Sequence, residues 1–128
     1  MDKDERTKRS SVGRLKRRAD FLRVAALRRK WAAPGLILQA APQPEASIPE
    51  DDIRVGFTAS RKVGNAVKRN RARRRLKALV REMIATGADP GLDLVLIARP
   101  ATVDRPFDEL RRDLRQSLQR TKAARKPH

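Results

Sequence analysis

The residues best suited to chemistry are cations that cluster between Arg61 and Arg81. Residues 53–81 hold eleven Lys or Arg and no acid, whereas residues 31–52 hold no Lys or Arg. Arginine predominates in this cluster, and its guanidinium offers a planar set of donors that matches two phosphate oxygens and stacks on bases. Asn70 adds an amide that donates and accepts, as recognition of a base edge or a 2′-hydroxyl requires. The cluster predicts a nucleic-acid surface; the alternative is a solvated helix face on which Asn70 is incidental.

Side chains for catalysis are scarce in this sequence. His128, the only histidine, is the last residue, and the chain contains no Cys. Without them the usual pairs of nucleophile and general base cannot be assembled. The acidic run at residues 50–52 could in principle hold a metal ion, but it ends a proline-containing stretch, which favours a solvated loop. We therefore predict no catalytic residue, no metal site and no cofactor bound by the protein itself.

A long helix is expected to carry the cationic cluster. The pattern predicts a helix from Ala66 to Ala85, with Asn65 as its N-cap and Gly87 as its stop. At about 100° per residue, the apolar side chains gather on one side, comprising Ala72, Leu76, Leu79, Val80 and Met83. The opposite side is polar or cationic and comprises Asn70, Arg74, Lys77 and Arg81. One side should pack on the protein while the other faces an anionic partner.

Periodic segments on either side of this helix indicate the fold class. Residues 15–29 have helical spacing, and the strand candidates are residues 36–40, 53–60 and 92–98. The connection from Ala41 to Asp52 is expected to be a long hairpin loop. A last helix carries the apolar stripe Phe107, Leu110, Leu114 and Leu118. The order helix, two or three strands, helix, strand, helix predicts an α+β fold, a small mixed β-sheet packed against helices in a two-layer sandwich.

Chain length and charge set broader limits. The chain has 128 residues, enough for a single domain, and a formal net charge of +17, which favours a polyanionic partner. We expect one domain over residues 14–120, a flexible basic extension at 1–13 and a disordered basic tail at 121–128. No segment reaches the roughly 18 apolar residues that span a membrane, and the N-terminus lacks the apolar core of a signal peptide. A cytoplasmic protein without a membrane partner is expected.

One segment resembles a known family. Residues 54–76 read RVGFTASRKVGNAVKRNRARRRL and resemble the signature of the bacterial ribonuclease P protein component. The most specific part runs from Lys62 to Val67, followed after Lys68 by Arg69-Asn70-Arg71. Residues 15–21 resemble the first helix of that family, and residues 93–99 resemble its last strand. The resemblance covers roughly residues 14–120, nearly the whole expected domain.

The resemblance implies a fold, an activity and partners. Family members have a left-handed βαβ crossover, and their catalytic subunit is an RNA that uses magnesium ions to remove the 5′ leader from precursor tRNA. The protein is then a non-catalytic subunit of an endonuclease, bound to the catalytic RNA and to precursor tRNA. The implied RNA-binding residues are Arg61, Lys62, Asn65, Lys68, Arg69, Asn70, Arg71, Arg73 and Arg74.

A cleft for the leader is implied between the first helix and the sheet, with Phe21 lining it. The family often has a second aromatic one helical turn after this residue, and another on the first strand. This chain has Ala25 and Gln39 at those positions. Leader contacts that depend on stacking are therefore expected to be weaker or differently placed.

Two other functions are compatible with the composition. A ribosomal or general structured-RNA-binding protein also needs a basic face on a small fold, without any role in catalysis. A DNA-binding regulator is disfavoured, because no partner helix and short turn precede the basic helix. We therefore expect an RNA partner and no DNA partner.

Overall fold

A mixed β-sheet organises the chain. Residues 9–45 and 51–126, which are the residues described by our computed structural model, form five strands and three α-helices. The strands are β1 Val12–Arg14, β2 Lys30–Ala32, β3 Leu36–Pro42, β4 Ile53–Thr58 and β5 Leu92–Ala98. The helices are α1 Arg18–Leu27, α2 Ala66–Gly87 and α3 Phe107–Arg120. Two short 3₁₀ turns lie at Arg61–Val63 and Pro100–Val103.

The strand order explains how the fold is connected. Across the sheet the order is β1-β4-β5-β3-β2. Strand β4 is parallel to both β1 and β5, whereas β3 is antiparallel to both β5 and β2. Helix α2 joins the parallel neighbours β4 and β5, so this part of the chain is a βαβ unit. The predicted α+β class and mixed sheet are confirmed, while the left-handed crossover stays a prediction.

Helices cover both faces of the sheet. Strand residues with alternating side chains, such as Leu94 and Leu96 of β5, pack with α2 and α3 in the main core. Val95, on the opposite face of β5, packs with Val24 of α1 and with Leu15 in a smaller cluster. The predicted sandwich therefore describes α2 and α3, and α1 adds a partial third layer.

The first helix begins later than its periodicity predicts. Leu15 donates its backbone N–H to Val55 O at 3.0 Å, and so continues the pairing of β1 with β4. Arg17 is extended, with ψ 134°, and precedes the helix as its N-cap. At the other end, Arg28 adopts the left-handed conformation, with φ 59°, and closes the last turn onto Ala25 O. The first residues of the predicted helix therefore extend the strand pairing instead, and the helix begins at Arg18.

The folded part of the chain extends past both predicted domain limits. Val12 and Gly13 belong to β1, and Ser10 N donates to Ala85 O at 2.8 Å. At the C-terminus, Ala123 is fully buried and Ala124 forms a bridge with Ala88. Residues 9–13 and 121–126 therefore belong to the domain, which corrects the expected flexible extension and disordered tail. The rest of those predictions, residues 1–8 and 127–128, lies outside the described residues.

The connection between β3 and β4 also differs from its prediction. A hairpin would pair these two strands, but β5 lies between them. The hairpin prediction is wrong, because a later strand of the sequence inserts at the centre of the sheet. Asp52, at the end of this connection, accepts a hydrogen bond from Ser11 N at 3.0 Å and thereby holds the chain entering β1. Among the described residues, no helix is long and apolar enough to cross a membrane.

Candidate RNA interface

The turn that leads into α2 is fixed by local hydrogen bonds and one glycine. Ser60 Oγ accepts from Lys62 N at 3.3 Å and caps the first 3₁₀ turn. Gly64 follows with φ 142° and ψ −155°, a conformation that is essentially restricted to glycine. Asn65 Oδ1 then accepts from Lys68 N at 3.0 Å and caps α2, as predicted. The Lys62–Lys68 segment therefore owes its shape to its own sequence.

Four of the predicted RNA-binding cations extend into solvent from this turn and the first half of α2. Within residues 9–45 and 51–126, their side chains form no hydrogen bond or ion pair with the protein. These four exposed cations are Arg61, Lys62, Lys68 and Arg74. Their charges are left for an outside anion.

Three further arginines of the predicted set are held by backbone carbonyls. Arg71 Nε donates to Val103 O at 2.9 Å, and its side chain is still 52% exposed. Arg73 donates to Asn70 Oδ1 at 3.0 Å and to Ala59 O at 3.5 Å. Arg69 donates to Gly64 O at 3.5 Å. Because a carbonyl carries no full charge, these hydrogen bonds orient the guanidinium groups without neutralising them, and only Arg71 also has an acid nearby among the described residues, the exposed Asp104 at 3.9 Å.

The structure separates the roles of the two predicted amides. Asn65 uses its side-chain oxygen to cap the helix, so the predicted RNA contact is limited to its NH₂ group. Asn70 is exposed, and the hydrogen bond from Arg73 fixes the position of its oxygen. The structure thus brings the predicted set together at one end of α2.

Arg75 has a structural role that was not predicted for a residue of this cluster. It donates to Thr102 O at 2.5 Å and to Arg105 O, and it lies 5.8 Å from the centre of the Phe107 ring. Burial, and secondarily the charge of Arg71, lower the pKa of its guanidinium. This side chain fastens α2 to the turn before α3. The sequence signal for this role was the position of Arg75 near the apolar side of the predicted helix.

The predicted leader cleft lies on the opposite face of the sheet. Phe21 is half-buried between α1 and β4, and a Cβ on Gly56 would lie 2.5 Å from its ring. The absence of a side chain at residue 56 therefore lets the ring lie directly on the strand. Gln39 lies on the same face of the sheet, since it pairs with Val95, and Ala25 is exposed on α1.

A buried ion pair holds α1 over this cleft. Asp93 is fully buried, and it accepts from Arg54 at 2.8 and 2.6 Å and also from Arg23 of α1. Asp20 lies 3.9 Å from Arg54 and 3.4 Å from Arg23. The cleft floor therefore contains two arginines whose charges are balanced by two carboxylates, in contrast to the first half of α2.

Metal binding has no comparable support in the described residues. They contain no group of three or more His, Cys, Asp or Glu side chains that could hold a metal ion. Asp52 of the acidic run contacts Ser11 instead.

Comparisons with known proteins identify the family. The model of the ribonuclease P family matches residues 10–122. The chain is 58% identical over 117 residues to the ribonuclease P protein component of Paramagnetospirillum magneticum, covering 91% of this chain and 88% of the relative. It is 49% identical over 107 residues to that of Gluconacetobacter diazotrophicus, covering 84% of this chain and 89% of the relative.

A solved structure agrees with these sequence comparisons. The ribonuclease P protein of Staphylococcus aureus superposes with a TM-score of 0.71 at 25% identity, over 88% of this chain and 97% of that one. The predicted resemblance is thereby confirmed, and the chain belongs to the bacterial family of ribonuclease P protein components.

Proposed function

We propose that this chain is the protein subunit of ribonuclease P, binding the catalytic RNA and the 5′ leader of precursor tRNA during endonucleolytic removal of the leader. The observation that carries the proposal is the state of the cations at the start of α2. Residues 53–81 contain no acid, and four of their cations have no partner in the described part of the protein. RNA phosphates would compensate this charge, as expected for a member of a family of RNA-binding subunits.

The catalytic RNA is assigned to the face formed by Arg61–Val63 and the first half of α2. Like charges one helical turn apart disfavour an isolated helix by a few tenths of a kcal/mol per pair. Bound phosphates would relieve that repulsion. Since Arg69, Arg71 and Arg73 are already oriented by carbonyls, they lose less side-chain entropy when they bind.

The leader of precursor tRNA is assigned to the cleft under α1. The half-buried ring of Phe21 offers a stacking surface there. Its neighbours Arg23 and Arg54 are paired with Asp93, so this cleft attracts phosphates less strongly than α2 does. With Ala25 and Gln39 in place of further aromatics, the leader makes a weaker contribution to binding than the catalytic RNA.

The chemical step is assigned to the RNA. As the family resemblance implies, the proposal leaves the magnesium ions with the RNA and gives the protein no catalytic group. A general structured-RNA-binding role would use the same basic face, but the family membership favours ribonuclease P. A cytoplasmic location, where precursor tRNA is processed, is part of the proposal.

Cleavage of precursor tRNA tests this assignment. A bacterial ribonuclease P RNA would be assayed at low magnesium without protein, with wild-type protein, and with an Arg69→Ala/Arg71→Ala variant. The matched control is Arg112→Ala/Arg115→Ala, which removes the same charge from exposed positions of α3. Thermal unfolding of each variant would establish that it is folded.

We expect wild-type protein and the α3 control to stimulate correct 5′ cleavage equally, and the α2 variant to stimulate it poorly. If wild-type protein gave no stimulation, the proposal would be wrong and a general RNA-binding role would take its place. Equal loss in both variants would indicate a response to net charge alone, and would remove the assignment to α2.

A further inference from the structure

A groove lies between β1 and the second half of α2, on the face of the sheet opposite Phe21. Its volume is about 490 Å³, and residues from β1, β4 and α2 line it. The register places Val12 and Arg14 beside Ile53 and Val55, hence on the side of the sheet that α2 covers. We call this feature the β1–α2 groove.

The groove combines an apolar floor with a cationic rim. Val12, Phe57 and Val80 supply apolar surface, and Phe57 is only half-buried. Arg14, Lys77 and Arg81 also line it, and no acid does so among the described residues. Lys77 Nζ lies 6.0 Å from the centre of the Phe57 ring. An apolar ring beside several cations matches a nucleotide, which joins an aromatic base to an anionic phosphate.

The cations of the groove are available to such a ligand. Arg14 and Arg81 are exposed, and within residues 9–45 and 51–126 neither forms an ion pair. Along α2, Lys77 and Arg81 follow Arg74 at intervals of three and four residues, so they continue the same side of the helix. The groove is therefore a direct extension of the basic face assigned to the catalytic RNA.

The wall of the groove is fixed before any ligand binds. Ser10 N donates to Ala85 O at 2.8 Å, and Arg125 donates to Ser10 Oγ at 2.6 Å and to Ala85 O at 3.0 Å. Arg125 also donates to Ala88 O at 3.2 Å. These bonds tie the segment before β1 and the C-terminal residues to the end of α2. A preformed pocket of this size falls in the range that small ligands occupy.

We propose that the β1–α2 groove binds one unpaired nucleotide of the catalytic RNA, with its base against Phe57 and its phosphates beside Arg14 and Arg81. The inference rests on the proposed function, since it names a further contact with the same RNA. It places that contact on the face of the sheet away from the leader cleft. The two RNA ligands would thus be separated by the sheet itself.

Binding to a purified bacterial ribonuclease P RNA tests the phosphate contacts. The test variant is Arg14→Ala/Arg81→Ala, and the charge-matched control is Arg112→Ala/Arg115→Ala on α3. We expect the test variant to bind at least about tenfold more weakly and to lower the slope of log K against log salt by about two, because about two phosphate contacts are lost. The control should change neither quantity.

A second variant tests the base contact separately from the charge. Phe57→Leu keeps an apolar side chain but removes the ring, so binding should weaken by about fivefold with an unchanged salt slope. Its thermal unfolding would be compared with that of wild type, because Phe57 also packs against the main core. A folded Phe57→Leu protein with unchanged affinity would overturn the stacking part of the proposal.

Directed cleavage locates the bound nucleotide. Since the chain has no Cys, a Thr86→Cys variant can carry a single iron–EDTA group at an exposed position next to Ala85, at the end of the groove, and Gln116→Cys on α3 serves as control. The proposal expects cleavage of an unpaired stretch of the catalytic RNA from the first position only. Cleavage of the precursor tRNA leader instead, or equal cleavage of the catalytic RNA from both positions, would overturn it.

These readings keep the two proposals apart. If wild-type protein fails to bind the ribonuclease P RNA, the proposed function itself is wrong. If wild-type protein binds and Arg69→Ala/Arg71→Ala is defective, while Arg14→Ala/Arg81→Ala behaves like its control, only the groove assignment falls.

Discussion

Four arginines in or beside α1 and α3 face carboxylates, whereas four cations in the turn before α2 and in its first half face solvent. Arg54 donates to the buried Asp93 at 2.8 and 2.6 Å, and Arg105 of the turn before α3 donates to Asp113 at 2.7 Å. We call these contacts the paired region, which comprises Arg23, Arg54, Arg105 and Arg111 with their acids. We call the exposed cations the unpaired region, which comprises Arg61, Lys62, Lys68 and Arg74.

Arginine occurs in both regions, so the role of each side chain depends on the group that it faces. A cation that faces a carboxylate joins two elements of the protein, and one that faces solvent does not. In the paired region, a hydrogen bond with Asp113 raises the pKa of Arg105, and one with Glu82 raises that of Arg111. The charge is balanced inside the protein, and the contact joins two elements. In the unpaired region the charge is balanced by nothing in the described chain and joins no two elements, so under the proposed function it is available to RNA.

The largest expected effect comes from breaking the paired region at Asp93. An Asp93→Ala variant removes the buried carboxylate that Arg23 and Arg54 share and leaves them only Asp20, at 3.4 and 3.9 Å. Removing one partner of a buried ion pair typically costs about 3–5 kcal/mol, and because both arginines are partly exposed we expect the lower end, about 3 kcal/mol. Urea denaturation would measure the change.

Asp104→Ala provides the matched control for that experiment. Asp104 is 89% exposed and lies 3.9 Å from Arg71, so its loss should change the free energy of unfolding by less than about 1 kcal/mol. If Asp93→Ala and Asp104→Ala lowered the free energy of unfolding equally, the buried carboxylate would add no more stability than a surface charge. The paired region would then have no special structural role.

The unpaired region depends on backbone geometry instead of acids, and Gly64 is its critical residue. A Gly64→Ala variant must hold a Cβ at φ 142° and 2.7 Å from Lys68 Cδ. We expect a loss of about 2 kcal/mol in the free energy of unfolding, together with weaker RNA binding.

Gly87→Ala is the control, since its Cβ would meet only Leu118 Cδ1, at 3.9 Å. Because alanine favours a helix more than glycine does, this change should stabilise the protein by up to about 1 kcal/mol. A Gly64→Ala protein as stable as wild type would show that the entrance to α2 can adopt another conformation.

A smaller effect, confined to binding, is expected when the unpaired cations are removed. Lys68→Ala/Arg74→Ala should weaken binding to the catalytic RNA by about tenfold, or about 1.4 kcal/mol, and reduce the salt slope by about two. The free energy of unfolding should stay within about 0.5 kcal/mol of the wild-type value. Filter binding over a salt series and urea denaturation would measure both. A large loss of stability without a change in slope would place these residues in the paired region.

Much of the fold could be predicted because its long elements repeat at a clear period. Local patterns predicted the helix that begins at Ala66, its N-cap Asn65 and the buried strand Leu92–Ala98. The structure confirms all three. Short strands could not be found this way. Strand β1 has three residues and β2 has three, and each forms only because a longer neighbour offers it a free edge.

Contacts between distant segments account for the remaining errors. The insertion of β5 between β3 and β4 depends on the crossover of α2, which no local pattern encodes. Similarly, Ala123 is buried because the C-terminal residues pair with the end of α2, although their composition alone resembles a solvated tail.

The candidate site shows the same limit at the level of side chains. Spacing along α2 predicted which cations share a surface, and the structure places them together. It did not predict which would be oriented by carbonyls, because Val103, the partner of Arg71, lies 32 residues away in the sequence. The ion pairs of Asp93 were missed for the same reason, as Arg54 and Arg23 lie 39 and 70 residues away from it.

The smallest expected effect is an acid dependence at the α2–α3 contact, where Arg111 donates to Glu82 at 2.6 and 3.0 Å. That hydrogen bond lowers the pKa of Glu82. A carboxylate whose pKa is lower in the folded state stabilises the fold above its ordinary range, and this contribution is lost as the pH falls through it. Wild-type protein should therefore lose slightly more thermal stability than Glu82→Gln on acidification from about pH 6 to pH 3.

The difference should be small and should shrink in salt, because both side chains are exposed by more than a third. The control is Glu45→Gln, at an exposed position without an ion pair among the described residues, and it should follow the wild-type curve. If Glu82→Gln also follows that curve, the Arg111–Glu82 contact adds no measurable stability to the fold.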